Sequence, residues 1–301
     1  MRRRAVIVRR PTEFDELMDR YSTRGQVEFV LKSRGRTLES VERAHESHVA
    51  ALARVRAGIP DGWASADVER DSLSRFLFAP EDVIVVVGPD GLVANVAKYV
   101  DTQVVVGINS VPESQAGVLV RCAPEEGICA LRRLDEGADL RVDHLTMVQA
   151  SVDDSRSLRA LNEVFIGHPS HQSARYELRA GSVVERQSSS GLVVSTGTGA
   201  TGWGASLKRG RPMGDLPAPT SPSLAWFVRE AWPSPSTGVE STEGILGEDE
   251  DLGLVVASES LVLFGDGMES DRLILTWGQS VRISRAPRAL SLVDPAGLGE
   301  G

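Results

Sequence analysis

The sequence predicts an α/β fold in its N-terminal half and an antiparallel β fold in its C-terminal half. In the first half, short β-branched runs such as 83–87 and 104–108 alternate with helical stripes, a pattern typical of a parallel sheet. From Leu140 onward, short alternating runs are separated by Gly, Ser and Asp. We therefore expect a Rossmann-like α/β domain over residues 1–135 and a β-rich domain over 136–275. A segment over 276–301 is expected to return partly to the first domain and to end in a flexible tail.

Length and composition indicate an ordinary soluble globular protein. The chain has 301 residues, of which 41% are hydrophobic and 25% charged, and its net charge is -9. An acidic surface argues against general nucleic-acid binding, and no apolar run approaches the ~20 residues of a membrane helix. Only Cys122 and Cys129 occur, without a zinc-binding pattern, so we expect reduced structural thiols and a cytoplasmic protein.

The N-terminal half begins with a strand at residues 4–8 and a capped helix from Glu13 to about Tyr21. A longer helical stripe over residues 38–55 places His45 and His48 on its apolar face. Two packed, hydrogen-bonded histidines are the favoured interpretation, and a metal-binding pair is the alternative. The polar segment at residues 64–75 is interpreted as a connection with some helix.

The most informative stretch of this half is Val83 to Leu92. Five β-branched residues stop at Gly88, and Asp90 lies between Pro89 and Gly91. The apolar spacing that follows predicts a helix, and 104–108 then supplies a second strand of a β-turn-α-β unit. A glycine turn at the start of such a helix can meet phosphate, although a simple hairpin turn is the alternative.

The C-terminal half is predicted to form strands within six segments. These segments are 140–150, 161–167, 174–178, 191–195, 254–264 and 272–284. Between them, residues 212–251 are rich in Pro, Ser, Gly and acidic residues and contain Trp226 and Trp232. We interpret that segment as a mobile loop, or as a short helix at 222–231 that packs on a partner subunit.

A second glycine-rich stretch follows the predicted strand at 191–195. Residues 195–204 alternate small residues with hydroxyls, which permits close approach of a ligand, and Trp203 can stack on a base. A tight turn with a core tryptophan is the alternative. Asn162 and Glu163 form a polar pair inside an apolar strand, so they either satisfy each other or contact ligand hydroxyls.

Together, these stretches resemble the NAD kinase family. The family hallmarks are a G-G-D-G-T loop after a strand, an L-N-E strand and a Gly/Thr-rich loop near an aromatic residue. The matching segments, in the same order, are 88–92, 161–163 and 195–203. The mitochondrial type is the most similar, because it also resembles residues 9–14, 45–48, 107–117, 160–167 and 189–192.

The resemblance implies an ATP-dependent kinase that phosphorylates the 2′-hydroxyl of the adenosine ribose of NAD. It assigns Asp90 to the reacting hydroxyl, as base or through a metal. It also implies that Mg²⁺ arrives with ATP rather than on direct protein ligands, and that the protein is a homodimer. The residues implied to bind phosphate or nucleotide are Gly88, Gly91, Asn109, Thr198, Gly199 and Thr201, and those implied to bind substrate are Asn162, Glu163 and Trp203.

Two positions depart from the family pattern. Pro89 replaces the second glycine and removes an N–H that could face phosphate, and Leu92 replaces threonine and removes a hydroxyl. Beside phosphorylation of NAD by ATP, these departures leave three alternatives open. The chain uses a different phosphate donor such as polyphosphate, phosphorylates another hydroxyl compound such as a nucleoside or sugar, or acts as a non-catalytic nucleotide-binding regulator.

Overall fold

In a computed structural model of the chain, residues 3–112 and 117–298 are described. The chain divides into two compact units, residues 1–143 with 291–301 and residues 144–290. The strands of the described residues are β1 (Arg4–Arg9), β2 (Ala64–Glu69), β3 (Asp82–Val87), β4 (Val104–Ile108), β5 (Val142–Leu145), β6 (Val148–Val152), β7 (Ser157–Ala160), β8 (Glu163–Gly167), β9 (Ala174–Ala180), β10 (Val183–Ser189), β11 (Gly191–Ser195), β12 (Leu224–Arg229), β13 (Glu243–Leu246), β14 (Asp251–Val256), β15 (Ser260–Gly265), β16 (Met268–Thr276), β17 (Ser280–Arg285) and β18 (Leu290–Val293).

Helices are concentrated in the first unit. They are α1 (Glu13–Tyr21), α2 (Arg24–Ser33), α3 (Leu38–Ala57), α4 (Asp90–Ala97), α5 (Pro124–Asp135) and, in the second unit, α6 (Trp203–Lys208). The first three helices each begin after a threonine cap. The hydroxyls of Thr12, Thr23 and Thr37 accept a backbone N–H of the first turn. The helices at 13–21 and 38–55 predicted from the sequence are therefore present.

The first unit is built on a parallel sheet in the order β2-β1-β3-β4-β18-β5. Strand β1 pairs in parallel with both β2 and β3, and β3 pairs in parallel with β4. Every residue of β3 is buried, as its continuous apolar sequence predicts for a strand covered on both faces. Helices α3 and α5 contribute Leu52, Val55 and Leu131 to the core that includes Val85. The predicted Rossmann-like parallel sheet is confirmed.

The second unit contains two six-stranded antiparallel sheets. Their orders are β10-β9-β14-β17-β6-β7 and β13-β12-β11-β8-β15-β16. Alternating residues of both sheets, among them Ala150, Leu254, Val164 and Leu192, form a single hydrophobic core. The unit is therefore a sandwich, and the predicted antiparallel β fold of the C-terminal half is confirmed.

The limits of the two units differ from the predicted boundaries near residues 135 and 276. The first unit extends to Asp143 because the chain reaches the edge of the parallel sheet only with β5. The return to this unit begins at Ser291, because β16 and β17 belong to the antiparallel sheets and Ser291 pairs in parallel with Val104.

Three local predictions are wrong. The proposed helix at 222–231 is strand β12, whose Val228 pairs with Leu192, because an apolar run of this length fits a central strand. The connection predicted at 64–75 begins with strand β2 at the edge of the sheet, where alternating small polar residues are tolerated, and only its second half, a 3-10 helix at Arg70–Arg75, has the predicted helical character. The tail after residue 287 forms β18, and only residues 299–301 lie outside the described part.

No helix of the described residues is long and apolar enough to cross a membrane.

Candidate functional site

The turn between β3 and α4 requires Gly88. Its φ of 154° favours glycine, and an added Cβ would lie 3.2 Å from Leu92 Cδ2. Leu92 is 1% exposed and packs in the interior, so its replacement of a threonine fills apolar space and removes a hydroxyl. Pro89 occupies the residue before the helix with φ -84°, where its missing N–H breaks no helical bond. At Gly91, an added Cβ would meet nothing within 4 Å, so the backbone there is open to a ligand.

Asp90 is the first residue of α4, and its carboxylate accepts three backbone N–H groups. Oδ2 accepts from Val118 at 2.9 Å, and Oδ1 accepts from Leu119 at 2.8 Å and Val120 at 2.9 Å. A carboxylate offers about four acceptor positions, so roughly one remains for a ligand. The side chain predicted to act in catalysis therefore also fixes the loop at residues 118–120.

A cavity of about 360 Å³ lies beside this turn in the first unit. Its walls include the residues that follow three parallel strands, namely Arg10 after β1, Gly88 after β3 and Asn109 after β4. The carboxyl ends of parallel strands are the usual ligand-binding edge of an α/β sheet. Helix α3 supplies His45 and His48 to the opposite wall.

Both histidines of α3 are hydrogen-bonded, as the favoured interpretation of the sequence predicts. His45 Nδ1 lies 2.8 Å from the Thr12 hydroxyl, and His48 Nδ1 lies 2.9 Å from the Ser110 hydroxyl. Burial lowers the pKa of His48, so its ring is neutral near pH 7. Within residues 3–112 and 117–298, no three His, Cys, Asp or Glu side chains are grouped to hold a metal ion.

In the second unit, the structure brings Asn162 and Glu163 next to the loop at 195–204. Thr196 makes the connection, because its N–H donates to the Asn162 carbonyl at 2.9 Å and its hydroxyl donates to the Leu161 carbonyl at 2.5 Å. The same hydroxyl accepts the N–H of Thr198 at 3.1 Å. Strand β8 begins only at Glu163, so Asn162 precedes the strand in which it was predicted to lie.

Asp266 supports this site from the turn between β15 and β16. Its carboxylate accepts the N–H groups of Leu161 at 2.8 Å, Asn162 at 2.7 Å and Glu163 at 3.3 Å. Burial, and then the negative charge of Asp266, raise the pKa of Glu163 to about 7. Among the described residues, neither the Glu163 carboxyl nor the Asn162 amide has a hydrogen-bond partner. Both groups remain available to a ligand.

The loop residues predicted to bind nucleotide differ in their surroundings. Thr198 is 3% exposed, and its hydroxyl has no hydrogen-bond partner among the described residues. Gly199 is required by packing, since an added Cβ would lie 2.3 Å from the Asn162 carbonyl oxygen. Thr201 is exposed, and its hydroxyl donates to the Thr198 carbonyl at 2.9 Å. The orphaned Thr198 hydroxyl is the group of this loop that most needs an external partner.

Trp203 is partly exposed at the end of the same loop. Its ring lies 5.9 Å from that of Phe165, and the Arg229 guanidinium lies 5.7 Å from its centroid. Phe165 contacts Phe264 at 5.1 Å, so the three rings form one aromatic surface. The indole is therefore held by packing and presents a flat apolar group beside the loop.

Three supporting features were not found from the sequence. They are the Thr196 hydroxyl, the Asp266 carboxylate and the N–H groups of residues 118–120. The sequence at residues 265–267 has the composition of an ordinary turn. Only the positive φ of Asp266 (53°) and its hydrogen bonds to N–H groups distant in sequence distinguish it from one. Cys122 and Cys129 are free thiols, and burial raises the pKa of Cys122 to about 12, which leaves it unreactive.

The parallel sheet with its glycine turn, followed by the antiparallel unit, defines an α/β protein with a β-rich second part. No protein-family model matches the chain. A rat (Rattus norvegicus) protein named NAD kinase 2, mitochondrial, is 26% identical over 258 residues, which are 68% of this chain and 60% of the rat protein. NAD kinases of Heliobacterium modesticaldum and Thermococcus kodakarensis are 29% and 32% identical, over 73% and 42% of this chain and 74% and 45% of their own lengths.

The chain is thus similar in sequence to three proteins named NAD kinase. The aligned region spans 60% of the rat protein and 45% of the Thermococcus protein. One of the three carries the mitochondrial name.

Proposed function

We propose that the chain transfers the γ-phosphoryl group of ATP to the 2′-hydroxyl of the adenosine ribose of NAD and forms NADP. The observation that carries this proposal is the similarity to three proteins named NAD kinase. The glycine turn at Gly88, in the first unit, and the Thr196-linked loop, in the second, support it because both are built for close approach of a ligand.

In the proposed reaction, the 2′-oxygen forms a bond to the γ-phosphorus while the bond from phosphorus to the oxygen of ADP breaks. The hydroxyl proton leaves to the carboxylate of Asp90, which has about one acceptor position that the backbone does not use. Gly88, Gly91 and Asn109 lie at the phosphates. Phosphoryl transfer depends mainly on positioning and on neutralising charge, and this arrangement meets the first requirement.

The second unit supplies the proposed nucleoside contacts. Asn162 and Glu163 hold ribose hydroxyls, since their side chains have no partner among the described residues and are partly exposed. Thr198, Gly199 and Thr201 line the nucleotide, and the Thr198 hydroxyl is the group without a partner. Trp203 stacks on a base.

Magnesium enters this proposal with ATP. The described residues offer no group of three metal-ligating side chains, and the Asp90 oxygens already accept backbone N–H groups. Mg²⁺ commonly keeps several waters and binds substrate phosphates, and it neutralises their charge when it arrives as the ATP complex.

The assembly and location of the protein are proposed from its surface and composition. A homodimer is supported by Trp232 and Trp277, which are 70% and 71% exposed, because large exposed aromatic groups favour interfaces. The net charge of -9 favours a small-molecule substrate over nucleic acid or a membrane surface. A cytoplasmic location follows from the low cysteine content.

A second candidate function is a nucleotide-binding regulator without catalysis. The specific observation in its favour is that three of about four acceptor positions of Asp90 are used within the chain. Incubating the purified protein with ATP, Mg²⁺ and NAD, or with nucleosides and sugars, separates the candidates by chromatography of the products. NADP formation supports the proposal. A phosphorylated product only from another acceptor, or nucleotide binding without any product, contradicts it.

A further inference from the structure

Another cavity lies on the second unit, apart from the residues assigned to catalysis and nucleotide binding. Its volume is about 440 Å³, within the range of ligand pockets, roughly 300–1,000 Å³. Strands β9, β10 and β14 form its floor, and the turn between β16 and β17 forms one wall. The loop at 195–204 follows β11, which belongs to the other sheet of the sandwich. The cavity is therefore a separate site.

The pairing of the strands shows which side chains of the floor face outward. Tyr176 belongs to the hydrophobic core, so its neighbours Arg175 and Glu177 face away from the core. Arg186 lies opposite Glu177 in the register of β9 and β10, and paired residues share a face. Because Arg175 lies opposite Ser188, the two arginines occupy diagonal positions, which are about 7–8 Å apart in a sheet.

These two arginines have no counter-charge. Neither guanidinium makes a hydrogen bond or an ion pair within the described part of the chain. Glu177 is the acidic residue that lines the cavity, and its Oε1 accepts instead from Arg179 Nε at 3.0 Å and Nη2 at 2.7 Å. Like charges at neighbouring positions of a sheet repel each other, and a bound anion relieves this repulsion. The pair therefore favours an anion with several oxygens, and phosphate matches the fork of each guanidinium.

Trp277, in the turn between β16 and β17, supplies a flat apolar wall. Its side chain lines the cavity and is largely exposed to solvent. An indole stacks on planar rings, and such stacking tolerates different bases because every base has a π-face. Trp232 is as exposed as Trp277 but does not line this cavity. The cavity thus combines a stacking surface with two uncompensated cations.

The segment that follows β12 closes another side of the cavity and is fixed by hydrogen bonds. The Gly238 N–H donates to the Arg186 carbonyl at 2.9 Å, which holds the segment along the edge of β10. The Thr237 hydroxyl donates to the Trp232 carbonyl at 3.0 Å. Ser236 and Thr237 both line the cavity. Its shape is therefore set by the fold rather than by a ligand.

We propose that this cavity binds a nucleoside monophosphate, with the base on Trp277 and the phosphate between Arg175 and Arg186. A planar base joined to a phosphate is the ligand that an indole wall and two uncompensated guanidiniums bind together. The proposal does not depend on the kinase function, because none of these residues belongs to the proposed reaction. A nucleotide bound here is an effector and not the substrate of that reaction.

The test is calorimetric titration of the full chain with AMP, adenosine and inorganic phosphate. AMP should bind at least about 10-fold more tightly than adenosine or phosphate, because only AMP makes both contacts. Trp277→Leu should weaken AMP binding by roughly 10-fold, and so should Arg175→Gln combined with Arg186→Gln. These side chains are exposed, so the variants keep the fold.

Two matched controls lie in the same unit but outside the cavity. Trp232→Leu changes the other exposed tryptophan, and Arg272→Gln changes an exposed arginine of β16. Both should bind AMP like the wild type. A third variant, Trp203→Leu, disables the stacking group of the loop at 195–204. The AMP binding that depends on Trp277 should persist in it.

Unchanged AMP affinity in Trp277→Leu or in the double arginine variant overturns the site. A loss of AMP binding confined to Trp203→Leu also overturns it, because AMP then binds only at the loop at 195–204. If light scattering shows that Trp277→Leu dissociates an oligomer while AMP affinity stays unchanged, the indole belongs to an interface with a second copy, and the proposal is wrong.

The outcomes also separate this site from the proposed function. AMP binding through Trp277 in a protein that forms no NADP leaves the effector site standing and removes the kinase function. NADP formation by a protein whose AMP affinity is independent of Trp277 contradicts the site and leaves the kinase function standing.

Discussion

Asp90 in the first unit and Asp266 in the second hold their surroundings in the same way. Each carboxylate accepts the N–H groups of three successive residues, 118–120 in one case and 161–163 in the other. The chemistry differs. Asp90 is itself the residue at which the family resemblance places the reaction, whereas Asp266 positions Glu163 and changes its pKa. One arrangement of charge-assisted hydrogen bonds thus serves a proposed reacting group in one unit and a supporting group in the other.

The largest expected effect separates the two aspartates by activity. Asp90→Asn should reduce NADP formation by about 10²–10⁴-fold, because it removes the carboxylate proposed to receive the proton. Asp266→Asn should reduce it by less than about 10-fold, because it acts only through the position of residues 161–163. The measurement is the initial rate at saturating ATP and NAD. Equal losses in both variants would remove the distinction between reacting and supporting carboxylate.

In their effect on the stability of the fold, the two aspartates should be alike. Asp90→Ala and Asp266→Ala each leave three N–H groups without their carboxylate, and each should lower the free energy of unfolding by about 2–4 kcal/mol. Urea denaturation followed by circular dichroism measures the change. If either variant is as stable as the wild type, its three hydrogen bonds are not holding the loop.

Glu163 should make the free energy of unfolding depend on pH, by about 1–3 kcal/mol. Its pKa is raised to about 7 from an ordinary value of 4.5, so the folded state retains a proton that the unfolded state has released. The stabilisation relative to the unfolded chain is full below about pH 4.5 and is lost as the pH rises through 7. Glu163→Gln should therefore gain stability relative to the wild type at pH 8 but not at pH 4.5.

The control for this comparison is Glu269→Gln, an exposed position on β16 of the same unit. Its difference from the wild type should be the same at both pH values. The same result for Glu163→Gln would show that burial and Asp266 do not raise the pKa of Glu163.

The smallest effect concerns His48. Its pKa is lowered by burial, so the unfolded chain takes up a proton near pH 6.5 that the folded chain does not. The contribution of His48 to stability should therefore fall as the pH decreases from 7.5 to 5.5, and His48→Gln should be more stable relative to the wild type at pH 5.5 than at pH 7.5. His171→Gln, at an exposed position, should keep the wild-type slope. An identical slope in His48→Gln would mean that its ring titrates normally.

The comparison also explains how much the sequence could predict. The strand at 82–87 and the glycine turn after it were predictable, because five buried β-branched residues and a forced φ leave few alternatives. The partners of Asp90 and Asp266 were not, because both carboxylates bond N–H groups distant in sequence. Strand β18 was missed for the same reason, since Ser291 pairs with Val104. Local patterns specify turns and strands, but they carry no information about which distant backbone a carboxylate will bind.

The function is tested most directly by following the phosphorus atom. The purified chain is incubated with ATP labelled at the γ-phosphate, Mg²⁺ and NAD, and the product is identified by mass and by phosphorus NMR. We predict that the label appears as a phosphomonoester on the 2′-oxygen of NADP, and that Asp90→Asn nearly abolishes it. Label that stays in ATP, or appears only as inorganic phosphate, while ATP and NAD both bind, would contradict the proposed phosphoryl transfer.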